Sequence, residues 1–414
     1  MSATPQDGQA AGLLPGAVVA AELDELLDKH GDELVAIRRH LHRHPERSYQ
    51  EHATTDFVAQ RLEASGFAPR VLSIGTGLVC DVPVSATRPT VALRADLDAL
   101  AMDDEKDVPY RSEVPGVAHT CGHDVHTTIV LGAGLALARL LRQAGPEAGP
   151  VRLIFQPAEE SAPGGARDVI ADGALDGVEW IFGLHCDPKL DAGTFGVREG
   201  AITSAADLVE IDLHGPGGHT ARPQLAVDLV AVAARVALEA PGRLRARDPA
   251  LSLVFGALRT GDAANVIPAL ATIRGTVRTP HRAAWAGAAG ELAAVLDEIV
   301  PPLGARHELA YTQGPPPVEN DPDATALLGT AAVSAVGTGN VVGTPQSAGG
   351  DDFSWYLELD GVRGSYGRLG VRPPDARGPS LDLHASTFDV DESVIGVGVR
   401  ILVHAALAAL TRTG

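Results

Sequence analysis

TVALRADLDAL, residues 90–100, is a short apolar run that ends in two aspartates, Asp96 and Asp98. Such a run is typical of a buried strand, and open α/β sheets place their ligand sites just beyond the carboxyl ends of their strands. Two further runs of this kind, 151–155 and 180–184, are also followed by polar side chains. Because helical patterns alternate with these strands, we predict an α/β domain whose central, mostly parallel sheet is flanked by helices.

Downstream of this region the order of predicted elements changes. The predicted elements are strand 207–213, helix 226–239, strands 251–259 and 271–278, helix 282–300 and strand 306–311. This β-α-β-β-α-β order is typical of a ferredoxin-like unit, and its compact length suits an insertion into another domain. We therefore predict a catalytic domain over 17–204 and 314–414, interrupted by a ferredoxin-like lid over 205–313.

The amino-acid composition and the net charge disfavour several classes of protein function. The chain has 414 residues, of which 45% are hydrophobic and 21% charged, as expected of a folded globular protein. Its net charge of −20 disfavours binding to nucleic acids or anionic membranes. Three cysteines are too few for a disulfide framework, and the first 20 residues lack the basic and apolar pattern of a signal peptide. We expect a cytoplasmic protein.

Two short segments offer metal-ligating chemistry. Cys121 and His123 lie two residues apart, and a thiolate with an imidazole suits Zn, Mn, Co or Ni. A helix start with a buried cysteine explains the same pair. Glu159 and Glu160 follow strand 151–155, where a cation would neutralise their mutual repulsion. One glutamate can then bind metal while the other accepts a proton from water, although a solvated acidic turn is the alternative.

Two histidines extend the candidate site. His185 follows the predicted strand 180–184, and His384 lies in the sequence LHAS. Each one alone is typical of a buried core histidine, but five metal-ligating side chains near predicted strand ends favour a metal site.

The predicted lid carries a second group of polar residues. His219 lies in the glycine-rich stretch GPGGHT, Asn265 precedes a predicted strand and Arg278 ends that strand. Asn and Arg suit recognition of an amide oxygen or a carboxylate. A hairpin turn, an Asx turn and a surface arginine are the alternatives.

Ordered motifs along nearly the whole chain resemble one known family. They are IRRHLHRHPE (37–46), LRADLDAL (93–100), HTCGHD (119–124), QPAEE (156–160), GH (218–219), NVIP (265–268), GTVR (275–278), DFS (352–354) and LH (383–384). The chain is similar to the metallo-amidohydrolases that include hippurate hydrolases, N-acyl-amino-acid hydrolases and auxin-conjugate hydrolases, which are related to aminoacylase. Asp351, Ala101 and Met102 depart from the family pattern and concern the shape of the pocket.

The resemblance implies a role for each candidate residue. It implies a centre of two divalent metals bound by Cys121, His123, Glu160, His185 and His384, with Cys121 as the bridge. Glu159 corresponds to the general base, Asp98 to a residue that orients a ligand imidazole, and His219 to the lid histidine that polarises the scissile carbonyl. Asn265 and Arg278 correspond to substrate contacts, and the lid to a surface that forms homodimers or larger homo-oligomers.

The implied reaction is hydrolysis of the amide bond of an N-acyl amino acid to a carboxylic acid and a free amino acid. A dipeptidase or an N-carbamoyl-amino-acid hydrolase would use the same attack on a planar carbonyl. From another class, a metal-stabilised ligand-binding protein is the alternative without catalysis.

Overall fold

The computed structural model describes residues 13–83, 90–145, 148–374 and 382–412, which form two units. The first unit contains the residues up to Gly200, Asn320–Thr344 and the residues from Tyr356 onward. The second unit contains Ala201–Glu319 and Pro345–Trp355.

The structure describes eight α-helices and sixteen strands within those ranges. The helices are α1 (Gly16–Arg43), α2 (His52–Ala64), α3 (His123–Ala144), α4 (Ala166–Ala171), α5 (Leu229–Arg247), α6 (Arg282–Ile299), α7 (Pro322–Val336) and α8 (Val394–Leu410). The strands are β1 (Arg70–Val71), β2 (Leu78–Asp81), β3 (Val91–Asp96), β4 (Val151–Gln156), β5 (Trp180–Asp191), β6 (Phe195–Val197), β7 (Gly200–Ala201), β8 (Ala205–His214), β9 (Gly218–His219), β10 (Ser252–Thr260), β11 (Val266–Ile267), β12 (Leu270–Thr279), β13 (Arg306–Thr312), β14 (Glu319–Asn320), β15 (Val341–Gly343) and β16 (Arg363–Arg372).

The first unit is built on an eight-stranded sheet of order β1-β2-β4-β3-β5-β16-β6-β15. Its four central strands, β4, β3, β5 and β16, run parallel to one another. Helices α1, α3, α7 and α8 pack with this sheet around one apolar core. The predicted α/β domain with a mostly parallel central sheet flanked by helices is confirmed.

Helix α3 lies in the middle of this core. It is long and apolar enough to cross a membrane, yet 89% of its most apolar stretch is buried in the protein interior. Its length and composition are therefore explained by packing against the sheet and the neighbouring helices.

The second unit contains β8, α5, β10, β12, α6 and β13 in the predicted β-α-β-β-α-β order. Its strands form an antiparallel sheet of order β10-β12-β8-β13. Alternate residues of β8, such as Val209 and Ile211, face a core shared with α5 and α6. This is the ferredoxin-like arrangement.

One segment differs from the predicted division of the chain. The predicted catalytic domain includes all of 314–414, whereas Pro345–Trp355 groups with the second unit. The physical reason is hydrogen bonding, because the Ser347 N–H donates to the Ile202 carbonyl and the Gln346 amide donates to the Thr203 carbonyl, both at 2.8–2.9 Å. The predicted boundaries at 205 and 313 stay predictions.

Candidate active site

Three elements of the first unit position four of the five candidate ligands near the carboxyl ends of the central strands, and His384 lies in the segment before α8. Cys121 directly precedes Gly122, the left-handed residue at which α3 begins, and His123 is the first residue of the helix. Glu159 and Glu160 lie in the turn after β4. The predicted strand ends at 184, just before His185, whereas β5 continues to Asp191 and contains His185.

These side chains converge in space. Ligand atoms within 4.8 Å of one another form the groups Cys121–His123–His185, Cys121–Glu160–His384 and His123–Glu159–Glu160. Cys121 belongs to two of the groups, so one thiolate could bridge two ions. All five predicted metal ligands and Glu159 are therefore brought together, and the geometry suits a two-metal centre.

Hydrogen bonds orient the imidazoles towards the centre of this cluster. His123 Nδ1 lies 2.9 Å from the Asp98 carbonyl oxygen, and His185 Nδ1 lies 2.7 Å from the Cys186 carbonyl oxygen. When these nitrogens donate, each ring presents Nε2 as a free ligand atom. His123 Nε2 is buried and has no hydrogen-bond partner among the described residues, as expected of a metal ligand.

Asp98 supports the same site in two ways. Its carbonyl accepts the bond from His123, and its Oδ1 lies 3.3 Å from His123 Nδ1. Its carboxylate also accepts the backbone N–H groups of Glu159 and Glu160, both at 3.0 Å, and the Ser48 hydroxyl at 2.7 Å. Asp98 thus contacts both the imidazole and the turn that carries the two glutamates.

The electrostatics of the cluster favour a cation. Burial raises the pKa of the Cys121 thiol well above its ordinary value, and the charges of Glu160 and Glu159 raise it further. Burial lowers the pKa of His123, but Asp96 and Asp98 outweigh that effect and raise it to about 10. A bound divalent ion would stabilise the thiolate and take the place of the proton on His123.

Asp96 and His126 form a supporting pair to which the sequence patterns assigned no role. His126 Nδ1 donates to Asp96 Oδ1 at 2.7 Å, and His126 Nε2 accepts the Cys186 N–H at 2.9 Å. Arg94 donates to the other Asp96 oxygen at 2.6 Å. Both nitrogens of His126 are therefore occupied. Arg94, a charged residue inside an apolar strand pattern, is the feature of the sequence from which this buried network could have been predicted.

The other three predicted residues lie in the second unit. His219 and Asn265 are neighbours there, because β9 pairs with β11 and the Thr220 N–H donates to the Asn265 carbonyl. His219 Nδ1 accepts the Ala221 N–H at 3.0 Å, so the neutral ring of this exposed residue carries its proton on Nε2. Arg278 is the last residue but one of β12 rather than its end.

Comparison with known proteins identifies relatives of this chain. The model of peptidase family M20/M25/M40 matches residues 92–408. A Rhodococcus jostii protein whose name suggests a glutamate–cysteine ligase is 44% identical over 95% of this chain, which spans 47% of that longer protein. The N-acetyl-L-cysteine deacetylase of Bacillus subtilis is 35% identical, over 88% of this chain and 85% of its own length.

A solved structure agrees with these relatives. A Bacillus subtilis protein described as a dinuclear metal-binding peptidase of family M20 superposes with a TM-score of 0.78 at 31% identity, covering 92% of this chain and 99% of its own. The resemblance inferred from the motifs is confirmed, and the chain belongs to peptidase family M20/M25/M40, as a metal-dependent amidohydrolase.

Proposed function

We propose that this protein hydrolyses the amide bond of N-acyl amino acids, releasing a carboxylic acid and a free amino acid. The observation that carries the proposal is the placement of Glu159, a second carboxylate next to Glu160 that shares a ligand group with His123 but none with Cys121. A ligand-binding metal site has no need of such a group, whereas hydrolysis requires a proton acceptor next to the attacking water.

The proposed centre holds two divalent ions, Zn, Mn, Co or Ni, through Cys121, His123, Glu160, His185 and His384. Such ions act as Lewis acids that polarise a carbonyl oxygen. Metal analysis of Cys121→Ala and His123→Ala tests the assignment. We expect each variant to lose metal, since Cys121 is shared by two ligand groups and His123 Nε2 points into the cluster. Full occupancy in both variants would refute it.

Side chains of the protein transfer the proton, stabilise the developing negative charge and bind the substrate. Glu159 accepts a proton from the attacking water and returns it to the departing amine. His219 donates from Nε2 to the carbonyl oxygen as negative charge develops, which its tautomer supports. Asn265 and Arg278 bind the amino-acid part of the substrate, Arg278 through its guanidinium and the substrate carboxylate.

The substrate class is supported by the Bacillus subtilis relative named for N-acetyl-L-cysteine deacetylation. The test is to assay the purified protein, with its metal content measured, against N-acetyl and N-benzoyl amino acids, dipeptides and N-carbamoyl amino acids. Turnover of the N-acyl compounds with a kcat/KM well above the others is expected. Preferential cleavage of dipeptides or carbamoyl compounds would replace this substrate class, and full metal content without any turnover would favour a binding protein.

We also propose that the protein forms a cytoplasmic homodimer through the second unit. The outer face of that unit's sheet exposes Leu208 and Val254, which lie opposite the same residue, Thr276, from either side. All three cysteines are free and buried, which supports a reducing compartment. Light scattering should give a dimer mass that Val254→Asp reduces to that of a monomer. A monomeric wild-type protein would refute the dimer.

A further inference from the structure

The turn after β4 is held by two buried carboxylates from elsewhere in the first unit. Three consecutive backbone N–H groups, those of Ala158, Glu159 and Glu160, each donate to a carboxylate oxygen. Asp98 accepts the second and third bonds. The first is accepted by Glu51 at 2.7 Å, across 107 positions of the chain. With the three amides held in this way, the carboxylates of Glu159 and Glu160 lie in the ligand cluster.

The Glu51 carboxylate interacts with the backbone of Tyr49 and of Glu51 itself as well as with that of Ala158. Glu51 stands at the N-cap position of α2, where a side chain normally accepts a helix N–H, yet it makes no such bond. Glu46 does this instead, because its carboxylate accepts the N–H groups of Ala53 at 3.1 Å and Thr54 at 2.7 Å. The Glu51 side chain is fully buried, and its hydrogen bond to the Ala158 N–H joins the beginning of α2 to the turn after β4.

Ala158, whose N–H group binds Glu51, has an unusual backbone conformation. Ala158 has a φ of 56°, in the left-handed region that residues with a Cβ rarely adopt. Its carbonyl accepts the Gly165 N–H at 3.0 Å and the Ser161 hydroxyl at 3.1 Å, while Glu51 holds its N–H. A strained backbone conformation persists only where surrounding contacts determine it. Here those contacts set the direction in which the chain enters Glu159 and Glu160.

We infer that Glu51 is a positioning residue for this reaction: by binding the Ala158 N–H it holds the turn that aims Glu159 and Glu160 at the metal centre. The inference rests on the roles proposed above for these two glutamates. Glu51 itself touches neither metal nor substrate. Only its hydrogen-bond acceptor matters in this role, so glutamine should replace it, whereas alanine and the shorter aspartate should not.

The experiment compares Glu51→Gln, Glu51→Ala and Glu51→Asp in the full-length protein. Each variant is stripped of metal, titrated with Co²⁺ while the visible absorption spectrum is recorded, and assayed for kcat and KM on an N-acyl amino acid. Leu62→Ala is the matched control, because it removes a buried side chain from the same helix without touching the turn. Glu63→Ala, an exposed glutamate of α2, controls for loss of charge.

We expect Glu51→Ala and Glu51→Asp to change the Co²⁺ spectrum and to weaken Co²⁺ binding or kcat by about 10- to 100-fold, the usual cost of losing support behind a metal ligand. Glu51→Gln should stay within about threefold of wild type because it keeps the acceptor. KM should change little. If Glu51→Ala does not fold, the contrast between Asp and Gln carries the test.

Two results would overturn the inference. One is a Co²⁺ spectrum and kcat in Glu51→Ala and Glu51→Asp that match those of Leu62→Ala. The other is a Gln variant as impaired as the Ala or Asp variant. Glu159→Gln, measured in parallel, separates this inference from the proposed function. Full kcat in Glu159→Gln would refute the base, whereas a loss there with a normal Glu51→Ala would refute the positioning role alone.

Discussion

Glu159 and Glu160 are neighbours in the chain, and an oxygen of each carboxylate lies 3.9 Å from His123 Nε2. Only Glu160 also lies close to His384, with Oε1 3.2 Å from Nε2, and groups with Cys121, whereas Glu159 is absent from the Cys121 groups. This difference supports the proposed division in which Glu160 binds metal and Glu159 moves the proton.

Glu159→Gln therefore should keep its metal and lose turnover. The amide preserves the shape of the side chain but removes its basicity, so we expect kcat to fall on the order of a hundredfold or more. Metal content by elemental analysis and kcat on an N-acyl amino acid are the measurements. A rate near that of wild type would mean that another group accepts the proton.

His219→Ala should affect turnover rather than binding. A hydrogen bond to a developing oxyanion contributes about 3 kcal/mol, so kcat should fall roughly a hundredfold. KM and metal content should change much less, because the bond strengthens only as charge develops on the carbonyl oxygen. The measurement is kcat and KM by steady-state kinetics. A defect confined to KM would show that His219 does not act in the chemical step.

The beginning of α3 depends on a glycine between two proposed ligands. Gly122 has a φ of 91°, and a Cβ at this position would lie 2.7 Å from the Cys186 Sγ atom. Alanine would carry the left-handed penalty of about 1–2 kcal/mol as well as this clash. We expect Gly122→Ala to lower the thermal unfolding midpoint and to reduce metal content, since Cys121 and His123 flank the site.

The control for that substitution is Gly31→Ala in α1. Gly31 is helical, and a Cβ there would meet nothing within 4 Å. Its replacement should stabilise the protein slightly, by about 0.5–1 kcal/mol, because alanine is the better helix former. Differential scanning calorimetry of both variants gives the comparison, and equal effects would contradict the steric argument.

For the molecule as a whole, buried carboxylates make stability depend on pH. Burial raises the pKa of Asp104, but hydrogen bonds from His42 and the Ser112 N–H outweigh it and hold the pKa well below its ordinary value. A carboxyl group with a depressed folded-state pKa adds stability above its unfolded-state pKa of about 3.8, and this is lost as the pH falls.

Asp104→Asn should therefore destabilise the protein more at pH 7 than at about pH 2.5, which lies below the unfolded-state pKa. Denaturant unfolding at the two pH values measures the difference, with the exposed Asp56→Asn as the control. A difference between wild type and Asp104→Asn that is independent of pH would show that the carboxylate charge has no part in stability.

The elements that periodicity and motif order could predict depend on contacts close in the chain. The alternation in β8 and the order of elements around α5 and α6 are local patterns, so the ferredoxin-like unit was predictable. The residues at which the helices and strands end were less predictable. Helix α5 extends to Arg247 rather than 239, and β5 extends past His185, because the ends depend on neighbouring strands and helices rather than on the segment itself.

In the candidate site, too, local sequence patterns identified some residues, whereas only the fold decided how they are arranged. Cys121 and His123 are separated by one residue, and their motif identified them along the chain. Folding alone decided that Cys121 joins two ligand groups, that His126 is occupied by Asp96, and that the Glu51 carboxylate reaches the Ala158 amide. The physical reason is that a sequence pattern records the chemistry of each side chain and its local spacing, whereas pairing a donor with an acceptor 107 positions away depends on how the strands and helices pack.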